Sequence, residues 1–552
     1  MSLDTTQEKT SKFATFKNRW IALVGIALGL AIVIVDATIL NVSIPYMLRD
    51  LNTSFSSIQW AISGYALAIA TVLITIGRIG DLWGRKKLFV AGMAVFAVGS
   101  LVASESQGAA LLIFGRACIQ AIGAAMVLTS ALALLAATFH GKERAIAFGV
   151  WGAVAGASAS LGPLLGGYLT TYYSWRWSLR INVVVAIIAF IFSIFIMESR
   201  GEKARKFDWW GMIFSGLGIF SLVFGFIEGR TYGWWNPREQ FSFLGWQWPF
   251  EHFSVIPIFF ALSVIFITLF IWKELSLERK GMSPLLRLDI FKKRGFTVGS
   301  ALLVLLSLGQ FGTFLILPIY FENVLGYDAL QTGVAFLLAS ISIFVFGIIS
   351  GYLASKINIK WIIIAGTIIL VVSIFVLIPE ITSTATQISL APGLILFGIG
   401  LGLSASQLNN VIISSAPAEI ASEASGASVM MRQIGSSIGV AIIGAFFATS
   451  IVQGVQTNIQ SDPLLPEQAK VAIVSQLGSA DFEAGQSPAP SGSLPPAFAE
   501  SVKKDINESV VSASQDTMNV GWYFLIAAAL ASCFLPKFHA RDQKAPSQQT
   551  PE

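Results

Sequence analysis

Charge is what this chain has least of. Asp, Glu, Lys and Arg make up 12% of its 552 residues, about half the roughly 25% typical of a soluble domain. With 55% hydrophobic residues and a mean hydropathy of +0.71, such a chain would expose more apolar surface in water than solubility permits. A water-soluble globule is excluded. Histidine is nearly absent: His140, His252 and His539 lie at the ends of apolar runs or in the segments between them. There is no HExxH pair, no cluster of metal ligands and no GxxxxGK[ST] phosphate loop, so an enzyme, a metal site, a cofactor and a self-contained ATP-driven pump are not expected. The two cysteines, Cys118 and Cys533, sit inside apolar runs and imply no disulfide framework. Base exceeds acid only slightly, 36 Lys and Arg against 31 Asp and Glu. The cations cluster in short loops, which reads as membrane orientation rather than as a nucleic-acid surface. The polar start, 1–19, precedes an apolar run too long for a signal-peptide core, so no cleaved leader is expected.

What the chain has in abundance is long apolar runs. Runs of about 20 residues cross the hydrocarbon core. They recur near 20–42, 57–78, 88–104, 109–137, 145–170, 180–198, 210–228, 253–272, 296–321, 331–354, 360–379, 390–413, 424–453 and 518–536. An all-α integral membrane protein of about fourteen transmembrane helices is predicted. An even count places both termini on one side. Most Lys and Arg lie in the loops of that side, which makes it cytoplasmic, although 414–423, assigned there, holds no Lys or Arg. Charged linkers at 199–206 and 273–295 divide the runs into 6+2+6. The expected order is a cytoplasmic tail 1–19, an N-terminal six-helix bundle 20–198, a linker with an inserted helix pair 199–295, a C-terminal six-helix bundle 296–536 and a cytoplasmic tail 537–552. Within the second bundle, 454–517 is expected as a long extracellular loop. Its Ser/Pro/Gly core at 485–496 is too poor in apolar residues to fold alone, and its flanks near 466–477 and 497–512 read as short amphipathic helices on the membrane surface.

The sharpest local pattern is GRIGDLWGRKKL at 77–88, in the short connection between the second and third runs. Gly77 and Gly84 frame a tight turn, and Asp81 and Arg85 place charge at helix ends. A generic positive anchor would need only Arg85, Lys86 and Lys87. The spacing resembles the loop motif G-x-x-x-D-x-x-G-R-[RK] of the major facilitator superfamily, at the position where that family carries it. In the fifth run Gly152, Gly156, Gly162, Pro163, Gly166 and Gly167 let helices approach closely around a kink. This array resembles the motif of the superfamily's antiporters, which implies export rather than uptake. The first run contains DATILNVSIP at 36–45. A carboxylate inside such a helix costs about 2.5–3.5 kcal/mol on insertion scales, so Asp36 is a functional candidate. The run resembles the first-helix pattern of the fourteen-helix drug:proton antiporters, with Val35 in place of leucine, and the inserted helix pair fits the same branch.

Arg116, in the fourth run, lies at the same depth as Asp36, roughly 9–10 Å below the outer surface at 1.5 Å per residue. A pairing is available, directly or through water; the alternative is that Arg116 snorkels or satisfies backbone carbonyls. The superfamily's fourth-helix pattern is R-x-x-Q-G-x-G, but here one extra residue separates Arg116 from Gln120. On a regular helix that rotates one of them by about 100°. In the second half, 424–439 resembles the thirteenth-helix run of the same branch, with Arg432 and Gln433 in register. Its GxSxG, Gly435 to Gly439, lies in a spanning helix rather than a strand-to-helix turn and carries no hydrolase meaning. GYLASKINIK at 351–360 stands where a second loop motif belongs, with Ser355 in place of the acid. Tyr65, Gln120, Tyr320, Glu322, Arg432 and Gln433 are the substrate-pocket candidates, aromatic faces being able to attract cations.

The resemblance implies a proton-coupled efflux antiporter for small lipophilic or cationic compounds, working by alternating access. Asp36 and Arg116 would carry the coupling, and Gly77, Asp81, Gly84 and Arg85 would form a conformational loop. The alternative is an exporter of one endogenous metabolite, such as a siderophore, lipid precursor or antibiotic. Expected partners are a small-molecule substrate, protons and the lipid bilayer, with no nucleic acid. A monomer in the plasma membrane, multi-pass, is expected.

Overall fold

The structure, a computed structural model, describes residues 16–537 apart from 41–42, 54, 201–207, 244–245, 283, 418–419, 464, 468–469 and 471–495. Lipid offers the backbone no hydrogen bonds, so apolar runs of this length must satisfy themselves as helices. Fourteen long helices result among the described residues. The first six are α1 Phe16–Ile39, α2 Phe55–Trp83, α3 Arg85–Ser104, α4 Ala109–Thr138, α5 Gly141–Tyr172 and α6 Trp175–Ser193. The inserted pair is α7 Trp209–Tyr232 and α8 Ile256–Arg279. The last six are α9 Arg294–Asn323, α10 Ala329–Ala354, α11 Ile359–Glu380, α12 Gln387–Ser414, α13 Ala421–Ser461 and α14 Pro496–Ser532. A minimal ribbon, Ser242–Phe243 paired antiparallel with Trp246–Gln247, lies between α7 and α8.

Thirteen of these helices are long and apolar enough to cross a membrane. The fourteenth, α14, packs against α9, α11 and α13 and so takes a helix's place in the second set. Its N-terminal half corrects one expectation. The stretch 497–512 is not a separate surface helix but runs unbroken into the last apolar run. In the same way α13 continues through 454 to Ser461, so 454–517 opens and closes as helix. The 41 residues of α13 reach about 60 Å, twice the roughly 30 Å of a hydrocarbon core. The two extensions are pinned side by side, Asn458 Nδ2 donating to Ser509 Oγ at 3.0 Å and to Asp505 O at 3.3 Å. The low-complexity core and most of the 466–477 flank lie outside the described residues.

In the first set α1 packs on α5 and α6, and α3 on α4 and α6. In the second, α9 packs on α13, and α12 on both α10 and α11. The two sets meet along α5 with α10 and α12, and along α13 with α2 and α4. Helix α7 leans on α2 and α13, while α8 is outermost and leaves Val264, Ile265 and Trp272 exposed.

Small residues set these approaches. A Cβ on Gly149 would stand 2.5 Å from Gly347 O, one on Gly152 2.3 Å from Ser406 Cβ, and one on Gly156 2.0 Å from Ile343 Cγ2. The other half of the glycine array faces α1: a Cβ on Gly162 would meet Thr38 Oγ1 at 1.8 Å, and one on Gly166 Ile39 O at 2.2 Å. Pro163 lies inside α5, directly after Gly162, and Gly167 is buried. One motif therefore serves two contacts, the joint between the two sets and the seat of α1 beside Asp36.

Candidate functional site

Asp36 lies one turn from the end of α1 and is fully buried. Its carboxylate collects donors from two other helices. From α4, Arg116 Nη1 lies 3.2 Å from Oδ2 and 3.4 Å from Oδ1, and Gln120 Nε2 donates to Oδ1 at 2.9 Å. From α6, Asn182 Nδ2 donates to the same Oδ1 at 2.6 Å. Ser100 on α3 accepts from both amides, at 2.6 Å from Gln120 and 3.2 Å from Asn182. Tyr65 on α2 closes the cage, its ring centroid 4.6 Å from the Arg116 guanidinium carbon. Arg116 Nε also donates to Ala61 O at 3.2 Å, which fixes the guanidinium plane.

Such an arrangement suits an ionised carboxylate. A charge removed from water is tolerated when it is paired and its remaining lone pairs are filled. Removing one partner of such a pair costs about 3–5 kcal/mol, because the other charge is left buried alone.

The extra residue between Arg116 and Gln120 is accommodated by backbone. Phe114–Gln120 forms a π-helical segment within α4. A π turn takes up one more residue than an α turn, so Gln120 stays on the Asp36 side instead of rotating away. Arg116 Nη1 even reaches Gln120 Oε1, at 3.4 Å. Two glycines let the widened turn sit against α3. A Cβ on Gly99 would lie 2.4 Å from Gln120 N, and one on Gly115 2.7 Å from Ala103 N.

Ser100 and Asn182 were not singled out in the sequence. A polar residue inside an apolar run is itself a signal, and WRWSLRINVVV at 175–185 carries that signal in Asn182.

A second buried cluster forms at the 77–88 loop. Gly84 has a φ of 120° and turns α2 into α3. Arg85 holds Asp81 through Nε at 3.0 Å and Nη2 at 2.7 Å. Asp81 Oδ2 also accepts Glu423 N, at 3.2 Å, at the start of α13, where a carboxylate complements the helix dipole. Arg78 pairs with the Glu423 side chain, both groups being buried. Gly77 is buried and lies 3.7 Å from where a Cβ on Gly426 would stand. Glu198, just beyond α6, caps the start of α3 by accepting Lys86 N at 3.0 Å and Lys87 N at 3.3 Å. The loop therefore ties the first set to the N-terminus of α13 in the second. Glu423 was missed because 414–423 was read only for its lack of Lys and Arg.

The remaining pocket candidates do not join the cage. Tyr320 is fully buried near the end of α9, its hydroxyl donating to Thr382 O at 2.5 Å, so it anchors the connection after α11. Glu322 is exposed at the end of α9. Arg432 and Gln433 are half-buried on α13.

The family model for the Major Facilitator Superfamily matches residues 26–440. Among known proteins, the chain is 28% identical over 536 residues to the tetracenomycin C resistance and export protein of Streptomyces glaucescens, covering 96% of this chain and 94% of that one. It is 26% identical over 558 residues to the multidrug transporter protein MdtP of Bacillus subtilis, covering 99% and 98%. It is 31% identical over 436 residues to the puromycin resistance protein pur8 of Streptomyces alboniger, covering 77% and 81%. Among solved structures, the proton:xylose symporter XylE aligns with a TM-score of 0.57 at 10% identity, covering 95% of this chain and 97% of that one, a likeness of fold alone. The 26–440 match, the near full-length relatives and the membrane-spanning helices lead to one conclusion: this chain belongs to the major facilitator superfamily and is a multi-pass membrane transporter.

Proposed function

We propose that this chain is a proton-coupled efflux antiporter for small lipophilic or cationic compounds, working by alternating access. The observation that carries the reading is Asp36, a buried acid on α1 whose carboxylate is held by Arg116, Gln120 and Asn182 from two other helices. Burial inside a helix bundle is costly for such a group and marks a site of ion or proton traffic.

In the proposed cycle the two six-helix sets rock about the central region. Asp36 takes a proton from the outer side and gives it up as substrate leaves. Arg116 favours the charged carboxylate and so helps release the proton. The 77–88 loop acts as a latch on the cytoplasmic side, through Asp81, Arg85 and the start of α13. Export rather than uptake is supported by the glycine array of α5 and by relatives named for resistance and export.

The test is proton flux in liposomes that hold the purified protein and an imposed pH gradient, with ethidium and other lipophilic cations added one at a time. Several cations should collapse the gradient with the wild-type protein and none with Asp36→Asn. Unchanged coupling in that variant removes Asp36 from the mechanism. Silence of the folded wild-type protein toward every cation, with a response to a single metabolite, would instead support the one-substrate exporter.

A further inference from the structure

The proposed cycle assigns no step to Asn182, yet among the described residues it makes the shortest contact to the Asp36 carboxylate, 2.6 Å from Nδ2 to Oδ1. It is 1% exposed. Its amide orientation follows from its neighbour, since an ionised carboxylate only accepts. The same side chain carries a buried Oδ1 that has no hydrogen bond among the described residues. An empty buried acceptor is unfavourable, and this one lies in a cage otherwise filled with donors.

The other members of the cage are differently placed. They are Tyr65 from α2, Ser100 from α3, and Arg116 and Gln120 from α4, and Arg116 is the one cation among them. Arg116 can only donate. The Gln120 oxygen already takes Arg116 Nη1, at 3.4 Å. The Tyr65 hydroxyl is buried beside the same carboxylate and faces it as a further donor. Asn182 is thus the amide with a donor engaged on Asp36 and an acceptor free.

We propose that Asn182 is a positioning residue that serves both protonation states of Asp36. When Asp36 is ionised, the Asn182 amide nitrogen donates to it, as the geometry now shows. When Asp36 is protonated, its hydroxyl donates to Asn182 Oδ1 after the amide turns about its terminal torsion. The turn brings Oδ1 to the place of Nδ2, about 3.2 Å from Ser100 Oγ, whose hydroxyl can donate to it as well. The proton arrives on and leaves from Asp36, and Asn182 neither gains nor loses one. An amide that can answer either state has a partner for both, whereas a cage of donors alone offers no acceptor to the protonated acid. This role rests on the reading of Asp36 as the proton site.

The test is the pH profile of ethidium-driven proton movement in proteoliposomes. Asn182→Leu, similar in size, removes donor and acceptor together. The bond to the charged form is charge-assisted and the stronger of the two, so losing both raises the proton affinity of the site by up to about 10-fold, which moves the midpoint up by as much as about one pH unit. Asn182→Asp keeps the side-chain volume and sets a second carboxylate against Asp36, so its midpoint moves further up, by about two units. Asn182→Gln keeps both functions and returns the profile toward wild type. A wild-type midpoint in Asn182→Leu, with only a lower maximal rate, overturns the proposal, because a merely packed asparagine gives that result. Should Asn182→Leu fail to insert, Asn182→Ala, which also removes donor and acceptor together, decides in its place. Asp36→Asn in the same vesicles separates the two levels. If it still moves protons, the reading of Asp36 fails. If it is silent while Asn182→Leu keeps the wild-type midpoint, the role of Asn182 fails by itself.

Discussion

The cage around Asp36 and the cluster around Glu423 are both buried charge networks, yet they stand in opposite relations to the fold. Every member of the first comes from α1, α2, α3, α4 or α6, within one six-helix set. The second joins α2 and the 77–88 loop to the start of α13, across the boundary between the sets. In the proposed cycle, rigid rocking of one set against the other would leave the first intact and break the second. A network inside one body can hold a charge through a cycle and respond to protonation. A network across the boundary, in that cycle, would add to the step that separates the bodies, because its paired charges must part.

That contrast can be broken at either end. The largest effect is expected from Arg116→Ala, which leaves Asp36 buried without its cation and with an empty cavity beside Tyr65. A loss of about 3–5 kcal/mol is expected, read as a large fall in the thermal midpoint of the detergent-purified protein. Combining it with Asp36→Asn should recover much of that loss, since the uncompensated charge is then gone. Next is the joint. Glu423→Arg alone brings like charges together at Arg78, and labelling of cysteines placed at this end of the molecule should rise about 10-fold. The double exchange of Arg78→Glu with Glu423→Arg should restore the wild-type level. A double exchange that labels like the single one would show that the pair does not hold the joint.

A smaller effect, and a sharper one, is expected from deleting Ile119. If the π segment Phe114–Gln120 exists to take up one extra residue, its removal yields a regular helix with Gln120 still on Asp36 and transport within about threefold of wild type. Deletions in spanning helices ordinarily rotate every downstream residue by about 100°, so a loss of two orders of magnitude would contradict this account of the segment.

The smallest effect is expected at the surface. Asp50, on the short helix Ile44–Asp50, is held below the ordinary carboxylate range by hydrogen bonds from Trp175 and Arg176. Stability from this group is present above the unfolded value and is lost as pH falls through the lower folded value. With the Asp50 side chain 46% exposed, Arg176→Ala should cost less than about 1 kcal/mol at neutral pH.

Much of this was legible because lipid constrains sequence so tightly. Span lengths, the 6+2+6 spacing and the charged linkers follow from hydrocarbon thickness and from where cations are tolerated. Depth along two helices placed Asp36 and Arg116 at one level, and they are in contact. Other features were set by packing that no single run encodes. Gln120 was read on a regular helix, and the π segment returns it to Asp36. Asn182 and Ser100 stand alone among apolar neighbours, and only the approach of α3 and α6 to α1 gives them a common partner. Tyr320 was read as a pocket aromatic, but its hydroxyl is engaged by the backbone at Thr382. The amphipathic character of 497–512 was correct for a helix half in contact, and its partner is the extended end of α13 rather than the membrane surface.

The measurement that bears most directly on the central claim is proton release on substrate binding, in weakly buffered detergent solution with a pH indicator. Wild-type protein given a transported cation near the midpoint of its pH profile should release protons in proportion to the cation bound. Asp36→Asn should bind cation and release none. Equal release from both proteins would contradict the account, and would place the coupling proton on a group other than Asp36.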